Sequence, residues 1–174
     1  MNQFVIADIK LCIGCRTCEI ACVMAHRDDD ALPLSAENFT PRLKVMKTFN
    51  ISAPILCRQC ENAPCLNACP NDAIHNQDGS VQVIQSRCIG CKSCMVACPY
   101  GAMEVVASHS HDAARPQRVQ ANKCDLCHGR GEGPACVEVC PTGALTLIKP
   151  ADLQAMQQER QLRAACGTTP NLRS

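Results

Sequence analysis

The sequence predicts an α+β fold made of two small units related by an internal duplication and followed by a C-terminal helix. Three observations lead there. Of 17 cysteines, all but Cys166 fall into four groups of four: Cys12, Cys15, Cys18, Cys22; Cys57, Cys60, Cys65, Cys69; Cys88, Cys91, Cys94, Cys98; and Cys124, Cys127, Cys136, Cys140. The first and third groups share the words CIGCRTC and CIGCKSC, while the second and fourth pair CRQC with CPNDAI and CDLC with CPTGAL, so a two-group unit occurs twice. Short β-rich runs and short helical stretches alternate with the groups.

Taken in order, the strands expected are FVIAD at Phe4–Asp8, RLKVMKTF at Arg42–Phe49, VQVI at Val81–Ile84, MEVV at Met103–Val106 and ALTLI at Ala144–Ile148. Around and after the third cysteine of a group, stretches such as TCEIACVMA and SCMVACPYGA carry Ala, Met and Val at helical spacing for a couple of turns. Residues Asp29–Thr40 and Ala107–Gln120 are polar and lack either period; the second contains SHSHDAARPQ with Pro116, and both read as surface loops. From Asp152 to Ala165, DLQAMQQERQLRAA offers an N-cap residue, strong helix formers, and Leu153, Met156 and Leu162 partly on one side. A terminal helix is expected there, then a frayed tail from Gly167.

The composition says what must hold such a chain together. Three Phe, one Tyr and no Trp among 174 residues leave few large groups to fill a core. Small domains in that position recruit disulfides or metal. The N-terminus, MNQFVIADIKLC, has no basic segment leading into a signal-length apolar run, so a cytoplasmic location is expected, where thiols stay reduced and bind metal. No run of about 18 apolar residues predicts a bilayer crossing. With net charge +1, pI near 7.4 and no basic stripe interleaved with aromatics, nucleic acid is not an expected partner. There is no phosphate-binding glycine loop, catalytic triad or H-E-x-x-H, so the chain does not read as an enzyme by itself.

The spacing selects the metal chemistry. A cubane iron-sulfur cluster needs four thiolates, and C-x2-C-x2-C wraps a tight loop around three of its irons. In two-cluster ferredoxins the fourth cysteine of a C-x2-C-x2-C-x3-C-P run ligates the other cluster, and Cys88 to Cys98 followed by Pro99 matches that pattern. Pro70 and Pro141 likewise follow a fourth cysteine, whereas Cys22 precedes Val23. Groups two and four lengthen the loop before the third cysteine, by ENAP and by HGRGEGPA.

These words (FVIADIKLCIGCRTCEIAC, CRQCENAPCLNACP, CIGCKSCMVACPYGAMEVV, and NKCDLC through GPACVEVCPTGAL) cover about residues 2 to 150. They resemble the four-cluster iron-sulfur subunits found beside molybdopterin oxidoreductases, most of all the small electron-transfer subunits of formate dehydrogenase and formate hydrogenlyase. The resemblance implies two ferredoxin-like domains about a pseudo-two-fold axis: residues 1–50 with 107–150, and residues 51–106, with 151–174 as helix and tail. It implies four 4Fe-4S clusters, held by Cys12, Cys15, Cys18 with Cys140; Cys124, Cys127, Cys136 with Cys22; Cys57, Cys60, Cys65 with Cys98; and Cys88, Cys91, Cys94 with Cys69. Implied partners are a molybdenum or tungsten formate dehydrogenase-like catalytic subunit and a hydrogenase or another iron-sulfur subunit. The assembly would be cytoplasmic, or peripheral to the inner membrane through a complex, without direct insertion. The function implied is a relay of single electrons; the alternative is a structural or maturation factor. Ligands crossed in this way make metal binding and folding one event.

Plainer readings stand beside these. Zinc ribbons also use C-x2-C pairs but do not account for C-x2-C-x2-C-x3-C. His109 and His111 form an H-x-H in an expected loop with no third ligand near in sequence. His26, His75 and His128 lie near cysteine groups and read as structural or surface residues, and Cys166 as a free thiol. Arg16, Arg58, Lys92 and Lys123 flank ligands, where charge tunes cluster potentials; solvated surface charge is the plainer reading.

Overall fold

The computed structural model describes residues 1–27, 33–107 and 119–167. His109, His111, Pro116, most of the second expected loop, the start of the first and the tail beyond Gly167 lie outside the described residues. Along the chain come β1 (Phe4–Ala7), α1 (Thr17–Met24), β2 (Lys44–Lys47), β3 (Ser52–Ile55), α2 (Pro64–Asn67), β4 (Ile74–Gln77) and β5 (Ser80–Val83). A 3-10 turn at Gln85–Arg87 leads to α3 (Ser93–Ala97), β6 (Met103–Ala107), β7 (Val119–Lys123), α4 (Ala135–Glu138), β8 (Leu145–Ile148) and α5 (Pro150–Ala165). The architecture is α+β with a C-terminal helix, as the sequence predicts.

The strands form two-stranded antiparallel pairs: β1 with β8, β2 with β3, β4 with β5 and β6 with β7. Three pairs join neighbours in sequence, and the β4–β5 hairpin turns on Asp78-Gly79, both with positive φ, the dipeptide that a tight hairpin favours. The fourth pair ties the chain ends, with Phe4 opposite Ile148 and Ala7 opposite Leu145. The β2–β3 and β6–β7 hairpins lean on each other through a Lys44–Glu104 ion pair and through Asn122 Nδ2, which donates to the carbonyls of Pro41 (3.1 Å) and Thr40 (3.3 Å).

Strands β3, β4 and β7 were not expected, since Pro54 interrupts the first and the other two are largely polar. A two-stranded sheet is all edge, so Pro54 costs no ladder hydrogen bond that the pair needs. Helix α5 starts at Pro150, earlier than expected, and Asp152 sits at its third position, accepting from the Lys149 amide at 2.8 Å. None of its residues is buried.

Apolar burial is concentrated in two clusters. One gathers Val5, Leu43, Val45, Leu56, Leu126 and Leu145 around Cys18, Cys22 and Cys136; the other gathers Ala63, Ile74, Val81, Met103 and Ala121 around Cys94. Helix α1 packs on α4 and α2 on α3, which brings the first cysteine group to the fourth and the second to the third.

Candidate metal centres

All 17 cysteines are free thiols, and the loops that carry them share a local geometry. In CIGCRTC and CIGCKSC the glycine is left-handed, Gly14 at φ 66° and Gly90 at φ 67°, and so is the residue before the helix, Arg16 at 64° and Lys92 at 68°. A left-handed residue on each side of Cys15 and of Cys91 curls the loop so that its thiols converge. Both glycines also lie against a neighbouring hairpin: a Cβ on Gly90 would fall 2.7 Å from the Val119 carbonyl oxygen, and one on Gly14 would meet Ser52.

Four neighbourhoods of thiols result. Cys12, Cys15, Cys18 and Cys140 line an apolar hollow, partly open to solvent, with Val45, Pro54 and Leu145. Cys69, Cys88, Cys91 and Cys94 line a second with Ile74, Val83, Val105 and Ala121. Cys60 and Cys65 lie within electrostatic reach of Cys57 and Cys98, and Cys136 within reach of Cys124, Cys22 and Cys127. The two lined hollows each join three cysteines of one group to the fourth cysteine of another. Cys166 stands apart, exposed beyond α5.

Donors aim at sulfur in several of the cysteine loops. The amides of Arg42, Ala73 and Ala121 donate to the sulfurs of Cys22, Cys69 and Cys88, each at 3.3 Å. Thr17 Oγ1 donates to Cys15 at 3.4 Å, and Ser93 Oγ lies 3.5 Å from Cys91 Sγ. These hydroxyls hold the exposed Cys15 and Cys91 thiols below their ordinary value. Burial does the opposite inside: it pushes Cys18 and Cys65 up to about 11, Cys124 up to about 12, and Cys136 up as well. Interior thiols must give up protons to bind metal, so metal capture releases acid.

An ionic interlock closes the Cys22, Cys124, Cys127, Cys136 neighbourhood. Asp125 accepts from His26 Nε2 (2.9 Å), from Arg42 Nη1 (2.5 Å) and from the Cys127 amide (3.0 Å). His26 Nδ1 donates to the Cys22 carbonyl at 2.7 Å. Both ring nitrogens thus face acceptors, as an imidazolium requires. Burial opposes that charge, but the bonds to Asp125, Cys127 and Cys22 outweigh it and the ring is pushed up to about 12. Burial would likewise raise the Asp125 carboxyl, and His26 with Arg42 hold it well below the usual carboxylate range. His26, Asp125 and Cys127 approach closely enough to suggest a separate metal site. Arg42 already occupies the carboxylate, so the group reads as an interlock.

Several of these residues carry no sequence signature. Glu19, 6% exposed, accepts from the Val45 amide at 2.6 Å; Gln59, 2% exposed, and Asn2, 7% exposed, knit the second cysteine loop to the rest. His75 and His128 remain on or near the surface, as expected. Among the described residues no helix is long and apolar enough to cross a membrane.

Thiols gathered around apolar hollows fit iron-sulfur clusters. The family described as the 4Fe-4S dicluster domain matches residues 48–149, and that described as the 4Fe-4S binding domain matches residues 9–25. The chain is 51% identical to electron transport protein HydN of Escherichia coli (strain K12), over 95% of this chain and 98% of the relative. It is 41% identical to formate hydrogenlyase subunit 2 of the same strain, over 92% of this chain and 89% of the relative. A chain of the active-site complex BamBC of benzoyl coenzyme A reductase is similar at a TM-score of 0.43 and 20% identity, over 92% of this chain and 90% of that one, too loosely to speak to the chemistry. The cysteine architecture and these relatives together make the chain a member of the family of ferredoxin-type 4Fe-4S electron-transfer proteins.

Proposed function

We propose that the chain holds four 4Fe-4S clusters and relays single electrons between a formate dehydrogenase-like molybdenum or tungsten subunit and a hydrogenase or other iron-sulfur partner. What supports the count is the gathering of cysteines into neighbourhoods, each of which we propose takes three ligands from one group and one from another. The ligand sets proposed are Cys12, Cys15, Cys18, Cys140; Cys22, Cys124, Cys127, Cys136; Cys57, Cys60, Cys65, Cys98; and Cys69, Cys88, Cys91, Cys94. When bound there, such clusters supply reversible one-electron chemistry.

The residues around them bind, orient and exclude water. Val45, Pro54, Leu145, Ile74 and Val105 wall the two outer hollows with apolar surface, while the Arg42, Ala73 and Ala121 amides stabilise charge on sulfur. Cys15 and Cys91 are exposed, so the outer neighbourhoods offer the entry and exit for electrons. Ile13 (63% exposed) and Ile89 (62% exposed) lie beside them as apolar contact points for partners.

Two cores around two pairs of neighbourhoods support a duplicated pair of domains, residues 1–50 with 107–150 and residues 51–106. Strands β3 and β7 each reach across to hairpin with a strand of the other unit. The likeness to formate hydrogenlyase subunit 2 supports the formate-linked partners and a place in the cytoplasm or at the periphery of the inner membrane.

The test is anaerobic purification with iron and acid-labile sulfide counted per chain. Four cubanes require about sixteen irons and a visible band that bleaches on reduction. About eight irons would reject the count, and bound iron that no reductant can change would favour a structural or maturation role instead.

A further inference from the structure

Lys123 ends β7 with its side chain 4% exposed, and an ammonium taken out of water demands compensation. Its Nζ donates to Gln59 Oε1 (3.1 Å), to the Cys124 carbonyl (2.7 Å) and to the Val81 carbonyl. Three acceptors match the three hydrogens of an ammonium and leave no donor for a lone pair. All three acceptors are neutral, and among the described residues no carboxylate pairs with Lys123.

The cradle is built deliberately. Gln59, held at φ 48°, also accepts from the Val81 amide (2.9 Å) and donates through Nε2 to the Cys124 carbonyl (2.9 Å). Asn2 Nδ2 fixes the Gln59 carbonyl from the far side at 3.0 Å. The network thus spans the loop that bears Cys57, Cys60 and Cys65 and the loop that bears Cys124. Through the Gln59 side chain, one residue from Cys60, and through the Cys124 carbonyl, the ammonium is held against both of these loops. Arg16, Arg58, Arg87 and Lys92, which also sit beside ligand positions, are exposed, so water screens them.

We propose that Lys123 is a fixed counter-charge set between the two inner cysteine neighbourhoods, raising the reduction potential of the cluster held at each and easing the passage of an electron from one to the other. The proposal rests on the four-neighbourhood reading above. An added electron makes a site one unit more negative, so a buried cation nearby favours the reduced form over the oxidised one. At a separation of several ångströms in a protein interior the effect is about tenfold or more in the reduction equilibrium. Tenfold is about 59 mV for a one-electron couple.

The experiment is a potentiometric titration followed by electron paramagnetic resonance on the anaerobically purified full chain, with iron counted on each sample. Lys123→Gln keeps a hydrogen-bond donor without the charge, and Lys123→Arg keeps the charge. The expected result is wild-type iron in both, with two cluster signals of Lys123→Gln lowered about tenfold in reduction equilibrium and those of Lys123→Arg near wild type. Loss of iron in Lys123→Gln but not in Lys123→Arg also supports a required counter-charge. Unchanged potentials in Lys123→Gln, equal shifts in both variants, or loss of iron in both would overturn it, since the side chain would then act through its hydrogen bonds alone. A wild-type count well below about sixteen irons fails the four-cluster reading before any variant is compared, and removes the proposal with it.

Discussion

Replacing Asp125 with Ala should loosen one cluster selectively. The change strips the counter-charge from His26 and Arg42, whose side chains are 15% and 23% exposed, and leaves the Cys127 amide without its acceptor. Exposed ion pairs contribute about 0–1 kcal/mol. Removing one partner of a fully buried pair costs about 3–5 kcal/mol. With Asp125 itself 21% exposed, screening places this interlock between those limits, at about 2 kcal/mol. If the segment must open before its cluster escapes, that corresponds to about thirtyfold faster loss. The assay is bleaching of the visible band at fixed guanidinium with excess iron chelator, anaerobically, with released iron counted. About four irons of sixteen should leave first, those of the Cys22, Cys124, Cys127, Cys136 neighbourhood. Arg42→Ala combined with Asp125→Ala should add little, because the two share one contact. A carboxyl held below its unfolded value contributes fully above about pH 4, and an imidazole held above its own contributes fully below about pH 6 and loses that contribution progressively as pH rises from there toward its folded value of about 12. The difference between variant and wild type should therefore be largest near about pH 5 to 6 and narrow as pH rises toward about 9. Bleaching of Asp125→Ala within twofold of wild type would refute the interlock.

Gly90→Ala should cost about 2 kcal/mol or more, from left-handed strain and collision with the Val119 carbonyl, whereas Gly101→Ala, at φ 62° with nothing within 4 Å, should cost only the strain. Equal drops in the temperature of cluster loss would count against the collision. Glu19→Leu removes the acceptor of the buried Val45 amide, with an expected cost of about 1–3 kcal/mol by the same thermal measurement; Glu19→Gln, which keeps an oxygen, should recover most of it. Deleting residues 150–174 should leave iron content and potentials unchanged and shift stability by less than about 1 kcal/mol, because no α5 side chain is buried. Loss of iron on truncation would show that the helix braces the fold.

The expected strands that form, β1, β2, β5, β6 and β8, are rich in Val, Ile, Leu and Met, and their signal survives in the bare sequence. β4 and β7, reading IHNQ and VQANK, are polar because two-stranded hairpins bury little, so hydrophobic period says nothing of them. Asp78-Gly79 was a legible hairpin turn, but its upstream strand lacked the apolar flank that would have drawn notice. Cysteine spacing shows which thiols share a loop at sight. The supports of those loops do not announce themselves: Asp125, Arg42, Gln59 and Glu19 are ordinary polar residues until burial and a partner from a distant segment give them work. Lys123 reads most plainly as surface charge, and its burial follows from three acceptors brought together by two cysteine loops.

The pairing of β1 with β8 has a consequence for biosynthesis. Phe4 finds its partner strand only when Leu145–Ile148, which begins 141 residues later, has been made. At about 5–20 residues per second, that leaves the N-terminal thiols waiting about 7–28 s on a growing chain. Through nearly all of that interval Cys12, Cys15 and Cys18 have neither β8 nor Cys140 to close their hollow. The first cysteines to leave the ribosome are the last to be enclosed, so a nascent chain depends on its surroundings to keep them reduced until its end arrives.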